Sequence, residues 1–194
     1  MTHDDTQTLL VAIVVVVALL AVAWILVRQR QSKHLQQRFG PEYGRVVASH
    51  GDRTKAEAEL RARERRVERL KLVPLTPAEA TRFGDEWRSV QTRFVDDPSG
   101  AVTEADRLVR DLMARRGYPM ADFERRAADI SVDYPAVVEN YRAAHAVVTL
   151  NGRGEASTEQ LRKAVVYYRD LFDELLEVRG AASASRHPGT QVPT

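Results

Sequence analysis

The sequence predicts an all-α protein: a transmembrane helix near the N-terminus, a basic helical stalk, and a bundle of about five or six helices. Three observations carry this prediction. Residues Leu9–Val27 form a run without a single polar side chain. Residues 28–71 hold 13 basic and 6 acidic side chains, a net of +7. From Pro77 onward apolar residues recur every three or four positions, and no stretch sustains the period-two alternation of a strand.

The apolar run comes first. At ~1.5 Å rise per residue it spans roughly 28 Å as a helix, close to the ~30 Å hydrocarbon core of a bilayer. A helix also satisfies its own backbone hydrogen bonds, as lipid requires. Trp24 lies near one end, where an indole prefers the interface. Two competing readings are weaker. A core helix apolar on every side needs a far larger protein around it. A cleaved signal peptide opens with positive charge, has a shorter apolar stretch and ends at small residues, whereas here Asp4 and Asp5 precede the run and Trp24-Ile25-Leu26-Val27-Arg28 closes it. Arg28, Arg30, Lys33 and Arg38 follow, and no Lys or Arg comes before. Because positive charge stays inside, the N-terminus is expected outside and the C-terminal domain in the cytoplasm, at an inner or plasma membrane. The expected division is a short extracytoplasmic N-terminus (1–8), the transmembrane helix (9–27), the basic stalk (28–72), the bundle domain (73–179) and a disordered tail (180–194), which is mostly Ala, Ser, Gly, Pro and Thr.

The stalk contains Gly40-Pro41, which breaks or kinks a helix. The segment Asp52–Leu72 holds no Gly or Pro and is rich in Ala, Glu, Arg and Leu, so one helix is expected over it. Glu57/Arg61 and Glu59/Arg63 are i,i+4 pairs in the favourable order. Ala56, Leu60, Val67 and Leu70 approximate a heptad seam that Arg63 interrupts, and about three heptads are too few for a stable coiled coil. The stalk's positive charge would either touch anionic lipid or simply face solvent. The net charge of +2 conceals the asymmetry, since residues before 28 carry −2 and those from 73 onward −3. With no cysteine, disulfides, Cys-based zinc sites and thiol nucleophiles are excluded.

The bundle helices follow in order. Thr76-Pro77-Ala78-Glu79 is a capping box with Pro at the first helical position, and Ala80, Phe83, Trp87, Val90 and Phe94 form its apolar face. After Asp97-Pro98-Ser99-Gly100 comes a second face, Ala101, Ala105, Leu108, Val109, Leu112 and Met113, stopped by Gly117-Tyr118-Pro119. A short segment from Asp122 to about Ile130 contributes Phe123, Ala127 and Ile130. Pro135 is expected to open the next helix, with Val137, Val138, Tyr141, Ala144 and Val148, closed at Asn151-Gly152. Ser157-Thr158-Glu159-Gln160 caps the last, whose face is Leu161, Ala164, Val165, Tyr168, Leu171, Phe172 and Leu175.

Chemistry is harder to find. His3, His34, His50, His145 and His187 lie far apart, and no Glu-x-x-His pair exists for a carboxylate-bridged dimetal bundle. His145 alone falls on a core helix; it reads as structural, with Glu139 or Asp133 as the carboxylate that would serve it as a base. Gly152-Arg153-Gly154 lacks the strand and spacing of a phosphate loop and reads as a turn. The stripes Phe83/Trp87/Phe94 and Tyr167/Tyr168/Phe172 read as core rather than as a ligand pocket. Ala127, Val132 and Val137, with Ser131 at the turn, match the apolar positions of a helix-turn-helix. Its reading helix, Pro135–His145, carries Glu139 and one cation, Arg142, too few for phosphate contacts. No catalytic, cofactor-binding or metal-ligating residue is assigned, and no cofactor is expected.

Arg88-Ser-Val-Gln-Thr-Arg-Phe-Val-Asp-Asp-Pro98, Asn140-Tyr-Arg-Ala-Ala-His145 and Tyr168-Arg-Asp-Leu-Phe-Asp-Glu-Leu175 resemble stretches of a family of small bacterial single-pass membrane proteins with a helical soluble domain. No activity or catalytic residue is established for that family, so the resemblance implies an architecture and no chemistry. The expected function is a membrane-anchored protein-interaction or scaffolding module rather than an enzyme. Its expected partners are the membrane, including anionic lipid at the stalk, and an unidentified protein. A small-ligand or enzymatic bundle, and a membrane-tethered nucleic-acid binder, are the alternatives.

Overall fold

The computed structural model describes the backbone of residues 3–176 and side chains from Val15 onward. The expected tail, 180–194, lies outside the described residues. Among them every element is helical, eight in all: α1 His3–Phe39, α2 Pro41–His50, α3 Arg53–Val67, α4 Pro77–Arg93, α5 Pro98–Arg116, α6 Phe123–Asp133, α7 Val138–Asn151 and α8 Thr158–Leu176. The chain divides into two compact units, residues 1–61 and 62–194.

In the first unit, α1 is the one helix among the described residues long and apolar enough to cross a membrane. Its large apolar side chains from Val15 to Val27 stand in the open, Leu19 at 64% and Trp24 at 62% exposed. A soluble core helix would bury those groups. Ten large side chains are involved; at ~1.5–3 kcal/mol for each full transfer out of water, even half-exposed they represent roughly 10 kcal/mol, comparable with a whole domain's stability. Beyond this stretch the same helix changes character, and Leu35 and Phe39 are buried with Val46, Ala56 and Leu60. Gly40 ends it at φ 48°, ψ −126°, a conformation open to glycine, and Pro41 starts α2 with its ring at the first helical position. Gly51 closes α2 in the left-handed region, and Asp52 Oδ1 caps α3 by accepting from Thr54 N at 2.6 Å.

In the second unit, α5 and α8 carry the longest buried stripes, and α4 and α7 pack against them. Leu108, Val109, Leu112, Met113, Ile130, Tyr141, Tyr168, Leu171 and Phe172 form its centre. Trp87 stacks on Phe172 with ring centroids 4.7 Å apart, so these aromatics are core. Both expected capping boxes form: Glu79 N donates to Thr76 Oγ1 at 3.3 Å while Thr76 N donates to Glu79 Oε2 at 2.9 Å, and Ser157 and Gln160 do the same at α8.

Three local expectations change. The helix expected to reach Leu72 stops at Val67. Helix propensity yields to packing there: Leu70, Leu72 and Leu75 turn onto the core, and Val73 N donates to Arg116 O at 2.9 Å. The helix expected from Pro135 begins at Val138. Ser131 is not at a turn but inside α6, buried, its hydroxyl donating to Ala128 O at 2.7 Å. The chain turns after Asp133 instead, so the helix-turn-helix register is lost.

Gly117 caps α5 at φ 94°, and a Cβ there would stand 2.7 Å from Lys71 O. Gly84 lies within α4 with nothing within 4 Å of an added Cβ. Opposite responses to the same methyl group are expected. Gly117→Ala should lose about 1–3 kcal/mol of unfolding free energy, and Gly84→Ala should gain about 0.5–1 kcal/mol. Denaturant unfolding of the full chain in micelles, followed by far-UV circular dichroism, measures both; equal effects would refute the reading of the α5 terminus.

Candidate functional site

The polar centre of the second unit is Asp106, on α5. It occupies the apolar stripe of that helix, with Val102 a turn before and Val109 and Met113 after. Its side chain is 9% exposed, and an ionised carboxylate so placed must be paired. Tyr168, fully buried on α8, donates its hydroxyl to Oδ1 at 2.7 Å. Arg110, one turn on, brings Nε to 2.9 Å from Oδ2. His145 of α7 approaches Oδ1 with Nδ1 at 3.8 Å, beyond hydrogen-bond length. Burial pushes the Asp106 carboxyl up, but the nearby His145, the Tyr168 hydroxyl and the Arg110 charge outweigh it and hold the group below its ordinary value. Burial and the Asp106 charge push the Tyr168 phenol far up, so it stays a neutral donor.

An aromatic wall closes this centre. The Phe123 ring lies parallel to the His145 imidazole with centroids 3.7 Å apart. Tyr141 packs edge-on against Tyr168 at 6.1 Å, and Arg126 reaches the Tyr141 hydroxyl at 3.5 Å. His145 is 30% exposed. The partners expected for it are otherwise engaged: Asp133 accepts from Tyr118 at 2.7 Å, and Glu139 faces Arg142 at 3.6 Å. Asp106 takes their place. The arrangement gathers α5, α7 and α8 around one carboxylate, with Phe123 of α6 stacked on His145.

Elsewhere in this unit, Arg66 donates to Asp129 Oδ1 at 2.6 Å, and Arg63 reaches Ser131 at 3.4 Å. A surface groove of about 440 Å³ on α5 holds Arg93, Arg107 and Arg110. Their charges are met by Glu104 at 2.5 Å, Asp111 at 3.3 Å and Asp106, respectively, which leaves little pull on an anion. Gly152-Arg153-Gly154 is a turn between α7 and α8. Among the described residues no three metal-ligating side chains gather.

The first unit has its own buried carboxylate, Glu57 of α3. Its Oε1 accepts from Ser32 at 2.6 Å, Tyr43 at 2.9 Å and Arg53 at 3.0 Å. Arg61 lies 3.9 Å from Oε2. Burial pushes this carboxyl up as well, and the three hydrogen bonds more than reverse it. Neither Asp106 nor Glu57 is a candidate from local sequence, yet each carries one signal: a carboxylate at a core position of an amphipathic helix.

Compared with known proteins, the chain matches no family model, no curated protein and no solved structure.

Because the folded Asp106 value is depressed, its stabilisation is complete above the unfolded value of about 3.9 and is lost as the pH falls through the folded one. Tyr168→Phe removes a hydrogen bond to the charged form, a loss of about 1.5–3 kcal/mol at pH 7. The gap between variant and parent should close as the pH is lowered below about 4, read from urea midpoints at each pH. A gap independent of pH would mean that the hydroxyl does not stabilise the carboxylate.

Proposed function

We propose that this chain is a membrane-anchored helical interaction module, acting by placement and binding rather than by catalysis. The observation that carries the reading is the apolar face of α1 from Val15 to Val27, exposed throughout, with none of the described residues packed on it. The proposed topology is a single pass with the N-terminal side outside and the helical domain in the cytoplasm. It is supported by Asp4 and Asp5 before the run and by Arg28, Arg30, Lys33 and Arg38 after it. The partner is proposed to be a protein met at the membrane. The hub at Asp106 supports this reading, because its carboxylate is spent on Tyr168 and Arg110 and binds the helices to one another. The resemblance to small bacterial single-pass proteins agrees with the same architecture.

The chain has no cysteine, so single cysteines report topology without background. In intact cells a membrane-impermeant maleimide should label Thr6→Cys and spare Glu155→Cys until the membrane is opened. The reverse pattern would overturn the orientation, and labelling of both in intact cells would overturn the span. In-cell crosslinking of the anchored chain should enrich a specific protein. Recovery of lipid alone would remove the interaction reading.

A further inference from the structure

We propose that the first unit holds an anionic phospholipid headgroup in a groove between α1 and α3. The inference rests on the membrane-anchored reading and adds to it a defined lipid site. The groove is about 340 Å³ and is lined by Trp24, Ile25, Arg28, Ser32, Arg53 and Thr54, with Glu57 at its side. That volume lies at the small end of ligand sites.

Position is the first argument. One end of the groove is Trp24 and Ile25, the last turn of the exposed apolar face, and the other is polar. A bilayer around that face sets the groove where acyl chains give way to headgroups, with an indole at the boundary. An acyl chain would run along Ile25 and Trp24, and the phosphate would meet the guanidinium groups.

Charge is the second. Glu57 is compensated by Arg53 and Arg61. Arg28 is different: its recorded neighbours are the neutral Thr54 hydroxyl, to which Nη2 donates at 2.7 Å, and the Trp24 ring, 5.3 Å from its guanidinium carbon. It is thus held in place over an indole, with a full positive charge and no carboxylate among the described residues. Arg53, fixed by Tyr43, Glu57 and Ser32, adds a second planar donor on the same groove. Two oriented guanidinium groups suit the several oxygens of a phosphodiester. Basic pockets beside transmembrane helices on the cytoplasmic side bind anionic headgroups for this reason.

Native mass spectrometry of the full chain, released from nanodiscs of phosphatidylcholine and phosphatidylglycerol, tests the site. The parent should retain one phosphatidylglycerol in preference to phosphatidylcholine. Arg28→Gln should cut that preference about fivefold, the worth of one cation near a lipid surface, with helicity unchanged. Arg30→Gln removes the same charge from an exposed position that does not line the groove and should leave the preference intact. Equal losses in the two variants would reduce the effect to general attraction and overturn the site, as would a parent without preference. Displacement of the lipid by millimolar inorganic phosphate would overturn it too, by making the groove a phosphate site. Extraction from vesicles by alkaline carbonate separately reads the anchor: a chain that resists extraction but lacks lipid preference retains the anchor and loses only the groove.

Discussion

The uncovered apolar face of α1 is the constraint from which the other features take their meaning. Water holds it only at high cost, and among the described residues nothing covers it. Hydrocarbon is the solvent proposed for it, and a helix is the backbone form that hydrocarbon accepts. The same helix then has to serve two environments. From Val15 to Val27 its apolar side chains stand exposed; by Leu35 and Phe39 they are buried. Gly40 and Pro41 end it immediately after the second environment begins, so that α2 can fold back and close the small core.

Each unit then solves the same electrostatic problem in the same way. A carboxylate sits in a helix stripe that is otherwise apolar, a guanidinium one turn away on the same helix pairs with it, and a neighbouring helix brings a tyrosine hydroxyl. At Glu57 the donors are Ser32, Tyr43 and Arg53; at Asp106 the donor is Tyr168, and Arg110 pairs its charge. A leucine at either place would add packing without fixing register, because apolar contacts are tolerant of sliding. Tyrosine donors from another helix impose a distance and a direction, and leaving the charge unpaired costs more than the pairing gains. The arrangement therefore selects one docking of the helices over its near neighbours.

How much of this was legible in the sequence follows from the range of the interactions concerned. The capping boxes at Thr76/Glu79 and Ser157/Gln160 close over three residues, so α4 and α8 could be read with their starts. The end of α3 could not, because Val67 is a stop only through the Val73–Arg116 bond and the packing of Leu70 and Leu72, which depend on distant residues. Asp106 was passed over for the same reason. Glu139 and Asp133 are nearer to His145 along the chain, but helix packing brings α5 to α7, and proximity in sequence lost to proximity in space. The apolar run was the plainest feature, since composition and length alone identify it; what it could not convey is that Arg28, at its edge, stands against Thr54 across a turn of chain.

That last contact changes the meaning of the basic stalk. The formal +7 of residues 28–71 suggests a broad positive surface, but part of it is paired. Arg53 and Arg61 answer Glu57, and Arg45 stands 4.0 Å from Glu42. Charges spent in this way contribute little field beyond their partners, and salt screens exposed remainders within about 10 Å. Exposed cations such as Arg30, Lys33 and Lys55 remain as a diffuse attraction. Arg28 is the cation that is both ordered and uncompensated, and it borders an apolar wall. A lipid seen through net charge would be held loosely anywhere on the stalk; the proposed site, set by the pairing of each arginine, would hold it at one place.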